Sequence, residues 1–113
     1  MNAVFCITFQ TICIFETMNR EEILQTLRKD LPEMQREFGA EAIALFGSYA
    51  RNEQTTESDI DILVRMKKPD FSLLMSLQRF LEVRLKNKID LVREGSHLTS
   101  RFYAIVGKDL IYV

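Results

Sequence analysis

The stretch Ser58 to Arg65, SDIDILVR, alternates polar and apolar side chains with a period of two. That period belongs to a strand, and it constrains this chain more than any other feature does. Side chains two apart in a strand share a face, so Ile60, Ile62 and Val64 turn into a core while Asp59 and Asp61 project together on the opposite side. The rest of the chain has to supply that core. With 113 residues, 47% of them apolar and 27% charged, it has the length of one domain and the make-up of an ordinary globular one. A domain of this size buries enough surface to stand without disulfides or a structural metal.

Helical and extended segments alternate around that strand. Ile23, Leu24, Leu27 and Leu31 recur at the three-to-four-residue spacing of a buried helical stripe, and Asn19 with Glu22 forms a capping-box pattern, so a helix is predicted from about Arg20. Pro32 has no N–H to donate and predicts a break or kink near Asp30, with a second helical piece ending at Gly39. Glu41 to Phe46 (EAIALF) and Lys88 to Arg93 (KIDLVR) read as further strands. Ser48 to Arg51 reads as one helical turn, and Asp70 as the cap of a helix from Phe71 to about Lys86 with Leu74, Leu77, Leu81 and Leu85 along one face. A short helix near Leu98 to Val106 and a final strand LIYV complete an α/β (α+β) order. Residues 1–17, rich in Val, Ile, Phe and Thr, read as an added edge strand or as an extension from an upstream start, with the domain proper at 18–113.

Three acidic side chains carry the chemistry. Two carboxylates side by side repel, a cost that falls when a divalent cation sits against them, and Mg²⁺ uses one or two carboxylates together with substrate phosphate oxygens. Taken alone, Asp59 and Asp61 also fit the edge of a sheet with two solvated aspartates. Gly47-Ser48, however, ends the preceding strand, where glycine permits close backbone approach and the first amides of a turn can face an anion, although Ser48 also suits a plain helix cap. Asp90, flanked by Ile89 and Leu91, is a charge that needs a cation or an exposed edge. Arg51 suits a phosphate contact or a solvated loop position.

Glycine-serine, a spacer, a DxD pair and a later aspartate, carried by GSYARNEQTTESDIDILV and KIDLV, resemble the polymerase β-like nucleotidyltransferase superfamily. Within it the likeness is to the minimal nucleotidyltransferases (MNT), small proteins usually found beside a HEPN partner. The resemblance runs from Met18 to Val113. It implies a small mixed sheet with helices packed mainly on one face, two Mg²⁺ ions held by Asp59, Asp61 and Asp90, and nucleotide phosphates held by Gly47 and Ser48. It also implies an antitoxin that transfers AMP from ATP to a hydroxyl, a tyrosine's, of a HEPN toxin. Family members commonly have Gly after the Ala-Arg pair where this chain has Asn52, a residue that tolerates the left-handed conformation.

Two other functions remain open: a binding module that neutralises its partner by contact alone, and a transferase acting on a small-molecule hydroxyl such as an aminoglycoside's. At this length no separate substrate domain is expected, which puts the acceptor on a partner surface or on a second copy of the chain. A formal charge of -1 excludes broad electrostatic capture of nucleic acid. The apolar N-terminal segment is too short to span a bilayer and has no Lys or Arg before Arg20, so a cytoplasmic protein with reduced thiols at Cys6 and Cys13 is expected. His97 reads as a surface-loop residue, and Arg65, Lys67 and Lys68 as a basic strand end.

Overall fold

The computed structural model describes residues 18–113. The extended reading of residues 1–17 lies outside them. Helix α1 (Arg20–Phe38) starts on the capping box: the Asn19 side chain accepts from the Glu22 N–H and the Glu22 carboxylate accepts from the Asn19 N–H, both at 2.9 Å. It stops at Gly39, which takes the left-handed conformation with φ 72°. Pro32 does not divide it, contrary to expectation. Burial on both sides of the proline holds the turn together. Ile23, Leu24 and Leu27 are buried before it and Met34 after it, and Asp30 is tied to another helix. These tertiary contacts outweigh the lost backbone bond.

Strand β1 (Ala40–Phe46) leads into the single turn α2 (Gly47–Ala50), and after a loop β2 (Ile60–Met66) runs antiparallel to β1. Helix α3 (Phe71–Leu85), capped by Asp70 accepting from the Leu73 N–H at 3.0 Å, crosses back so that β3 (Ile89–Arg93) lies parallel to β2. Helix α4 (Ser100–Val106), a 3₁₀ turn at Gly107–Asp109 and the short strand β4 (Ile111–Tyr112) follow, with β4 antiparallel to β1. The sheet order is β3-β2-β1-β4, a mixed sheet as the family resemblance implies.

The two faces of this sheet differ. Against one face α1 and α3 seal Ile43, Leu45, Ile60, Ile62 and Val64 with Ile23, Leu27, Leu77, Leu81 and Leu85, all between 0 and 2% exposed. Arg84 on α3 grips Asp30 on α1 with two parallel bonds, Nε to Oδ2 at 2.7 Å and a terminal nitrogen to Oδ1 at 2.8 Å. On the other face, among the described residues, α4 and its flanks alone cover the sheet, through a small cluster of Ala44, Phe46 and Leu63 with Val92, Leu98, Phe102, Val106 and Leu110. The cover ends before the acidic residues. No helix among the described residues is long and apolar enough to cross a membrane.

Candidate active site

Asp61 and Asp90 meet at the open end of that second face. Strands β2 and β3 are parallel with Asp61 opposite Asp90, so the two carboxyl groups stand on one side of adjacent strands. Asp61 is half-buried and Asp90 exposed. The Asp61 carboxyl is pushed up to about 6, first by burial, then by the charge of Asp90, by hydrogen-bond contact with it, and by the charge of Asp59. Arg51 acts in the opposite direction on the same group. Repulsion at this spot is what a cation would relieve.

Asp59 stands one residue before β2, exposed to solvent, and its charge reaches both Asp61 and Tyr49. Among the described residues, no three His, Cys, Asp or Glu side chains converge as a ready metal nest. The arrangement is a facing pair with a third carboxylate at its rim. Because Mg²⁺ accepts one or two carboxylates and fills its other positions with water and phosphate oxygens, that donor set suits it.

Gly47 is required here for two reasons. Its φ of 75° is a left-handed conformation that side chains avoid. A Cβ at this position would also fall 2.1 Å from Oδ2 of Asp61 and 2.9 Å from its Cγ. Glycine therefore lets the start of α2 close directly on the Asp61 carboxylate. The turn begins at Phe46 without a side-chain cap, so no side chain closes off its first amides. Ser48 is half-buried at that start. Asn52 takes φ 61°, a left-handed conformation that asparagine tolerates better than most residues.

Arg51 reaches the rim already engaged. Its Nε donates to Glu53 at 3.1 Å and a terminal nitrogen donates to Asp109 at 2.9 Å, which ties the loop after α2 to the 3₁₀ turn near the C-terminus. Arg65 is likewise paired, with Glu94 at 2.7 Å, so the basic strand end is partly neutralised. His97 is exposed in a turn, as expected of a loop residue.

Asn87 and Tyr49 belong to the site as well, with no signal in the sequence to mark them. Tyr49 is 1% exposed, and burial is the main cause that raises its pKa. Its hydroxyl accepts from the Asn87 amide at 3.1 Å, and the same amide nitrogen donates to the Ser58 carbonyl at 3.3 Å. An asparagine between a helix and a strand looks like an ordinary turn residue, and nothing in its spacing signals these contacts.

Known proteins give this geometry its class. The family described as polymerase beta, nucleotidyltransferase, matches residues 21–112, and this chain belongs to it. It is a nucleotidyltransferase, and its relatives narrow the kind. A Methanocaldococcus jannaschii relative named as a protein adenylyltransferase is 41% identical over 93 residues, which is 81% of this chain and 95% of its own. The protein adenylyltransferase MntA of Thermococcus cleftensis is 36% identical over 94 residues, 82% of this chain and 94% of its own. A solved structure named for a minimal nucleotidyltransferase superposes with a TM-score of 0.70 at 29% identity, covering 85% of this chain and 97% of that one. A chain in the complex of a tri-AMPylated Shewanella oneidensis HEPN toxin with MNT antitoxin gives 0.51 at 26% identity, over 83% of this chain and 67% of its own.

Proposed function

We propose that this chain is an antitoxin that transfers AMP from ATP to a hydroxyl, a tyrosine's, on a HEPN toxin. The observation that carries the reading is the Asp61–Asp90 pair closed on Gly47, an acidic, half-buried corner beside uncapped amides. The adenylyltransferase relatives and the AMPylated complex support the choice of AMP as the group transferred and of a HEPN protein as acceptor.

In this reading the acceptor oxygen attacks the α-phosphorus of ATP. A new oxygen–phosphorus bond forms, the bond to the β-phosphate oxygen breaks, and pyrophosphate leaves. Asp59, Asp61 and Asp90 would hold two Mg²⁺ ions, which when bound neutralise charge on the attacking and leaving oxygens. Gly47 and Ser48 hold the β- and γ-phosphates through backbone amides and the serine hydroxyl. Arg51 adds a phosphate contact from its remaining N–H groups. Asp90, exposed on the edge strand, is placed to take the acceptor's proton. ATP as donor suits a cytoplasmic protein, and the near-neutral charge suits recognition of a protein surface over nucleic acid. A second copy of the chain would complete the acceptor surface only if the toxin did not.

Incubation with α-labelled ATP, Mg²⁺ and either the purified toxin or an aminoglycoside tests the proposal. Label is expected on the toxin, and it is expected to vanish with Asp59→Asn/Asp61→Asn while the circular dichroism spectrum stays unchanged. Label on the aminoglycoside alone would establish a small-molecule transferase. Label on neither would leave a module that acts by contact.

A further inference from the structure

The site's three acidic and phosphate-facing segments come from separate parts of the chain, and one side chain touches all three. Asn87 precedes β3 by two residues and Asp90 by three. Its Nδ2 donates to the hydroxyl of Tyr49, the residue after Ser48, at 3.1 Å. The same Nδ2 donates at 3.3 Å to the carbonyl of Ser58, the residue before Asp59. Its Oδ1 accepts from the N–H of Lys88, the residue that opens the Asp90 strand segment, at 2.7 Å. Lys86 just before it takes the left-handed conformation, φ 54°, which fixes where the chain leaves α3.

We propose that Asn87 is the positioning residue of this site, the amide that sets Asp59 and Asp90 relative to the phosphate turn. The inference rests on the site assignment above. A facing pair of carboxylates with a third at the rim becomes a working set only if the rim residue is held in register. Strand hydrogen bonds register Asp61 with Asp90, because both lie inside paired strands. Asp59 lies one residue outside the strand: on its far side the Ile60 N–H donates to the Lys88 carbonyl at 3.0 Å, while on its near side the loop from Arg51 to Ser58 belongs to no strand. Asn87 supplies the missing constraint at Ser58 and anchors it to Tyr49, whose ring is locked in the core. A water cannot replace it without giving up the covalent tie to the Asp90 strand. Partners that orient a ligating side chain typically change ion affinity or activity by about 10- to 100-fold when removed.

The test uses the full chain and Mn²⁺ as the probe ion, its binding read from the loss of the free-ion electron paramagnetic resonance signal. Transfer to the HEPN toxin and thermal melting are followed beside it. Asn87→Ala is expected to weaken Mn²⁺ binding and to raise the Mg²⁺ concentration for half-maximal transfer, each by about 10-fold. KM for ATP should change far less than that. Tyr49→Phe removes one arm and keeps the core ring, so a weakening of about threefold is expected, and the double variant should be no worse than Asn87→Ala alone, because both changes cut the same tie. If Asn87→Ala only lowers the melting temperature and binds Mn²⁺ like the wild type, Asn87 is merely structural and the inference is overturned. A wild type that binds Mn²⁺ but labels no toxin would overturn the transfer reading instead. A wild type that binds no Mn²⁺ would overturn both.

Discussion

The two faces of the sheet obey opposite rules, and strand β2 shows it within seven residues. On the helix-covered face Ile60, Ile62 and Val64 are at most 1% exposed and sit among leucines from α1 and α3. On the other face the same strand presents Asp61, half-buried beside Asp90, then Leu63 under α4, then exposed Arg65. The sealed face lowers the free energy of the fold by removing apolar surface from water. The open face spends some of that stability on like charges held in contact. Stability and chemistry are thus separated by the pleat of a single strand.

Changes on the sealed face should damage the fold and leave the chemistry of the folded fraction alone. Ile62→Ala removes a fully buried side chain and is expected to cost about 2–5 kcal/mol by denaturant unfolding. Transfer per folded molecule, measured well below the melting temperature, should stay within about twofold of wild type. A large loss of transfer with full folding would break the separation.

Gly47→Ala sits where the faces join. The added Cβ meets Asp61 and the backbone is left-handed, so a destabilisation of about 1–3 kcal/mol is expected. Transfer should fall by more than tenfold, because the phosphate turn must back away from the carboxylates by the depth of a methyl group. Melting and labelling assays on the same preparation check both halves.

The smallest effect is on pH dependence. In the ion-free protein the Asp61 carboxyl sits at about 6, against an ordinary value of 3.8. A group raised in the folded state contributes its stability in full below its ordinary pKa and loses it as pH climbs through the folded value. Stability should therefore decline between about pH 4 and pH 6 by roughly 1–2 kcal/mol, after allowance for solvent screening of a half-buried group. Melting curves across that range, repeated with Asp61→Asn, should show the decline only in the wild type.

Much of this was legible in the residues, and the exceptions have physical causes. The caps at Asn19, Gly39 and Asp70, the three strands and the pairing of acidic positions follow from local rules, because each depends on neighbours within about four residues. Pro32 misled for the complementary reason. Its local cost is real, and packing of Leu27 and Met34 together with the Asp30–Arg84 pair overrides it from a distance of 54 positions in the chain. The grip of Asp109 on Arg51, and of Asn87 on Tyr49 and Ser58, was equally invisible, since polar pairing across 58, 38 and 29 residues leaves no period to read.

The central claim is that the open corner holds its carboxylates together for nucleotidyl transfer, at a cost to the fold. Asp61→Asn, an isosteric change that removes the repelling charge, tests it in one preparation read two ways at pH 7 without added metal and then with Mg²⁺ and ATP. Asp61→Asn is expected to raise the melting temperature by roughly 5 °C without metal and to lower labelling of the HEPN toxin by at least about a thousandfold. A variant that melts lower than wild type, or that still labels the toxin, would contradict it.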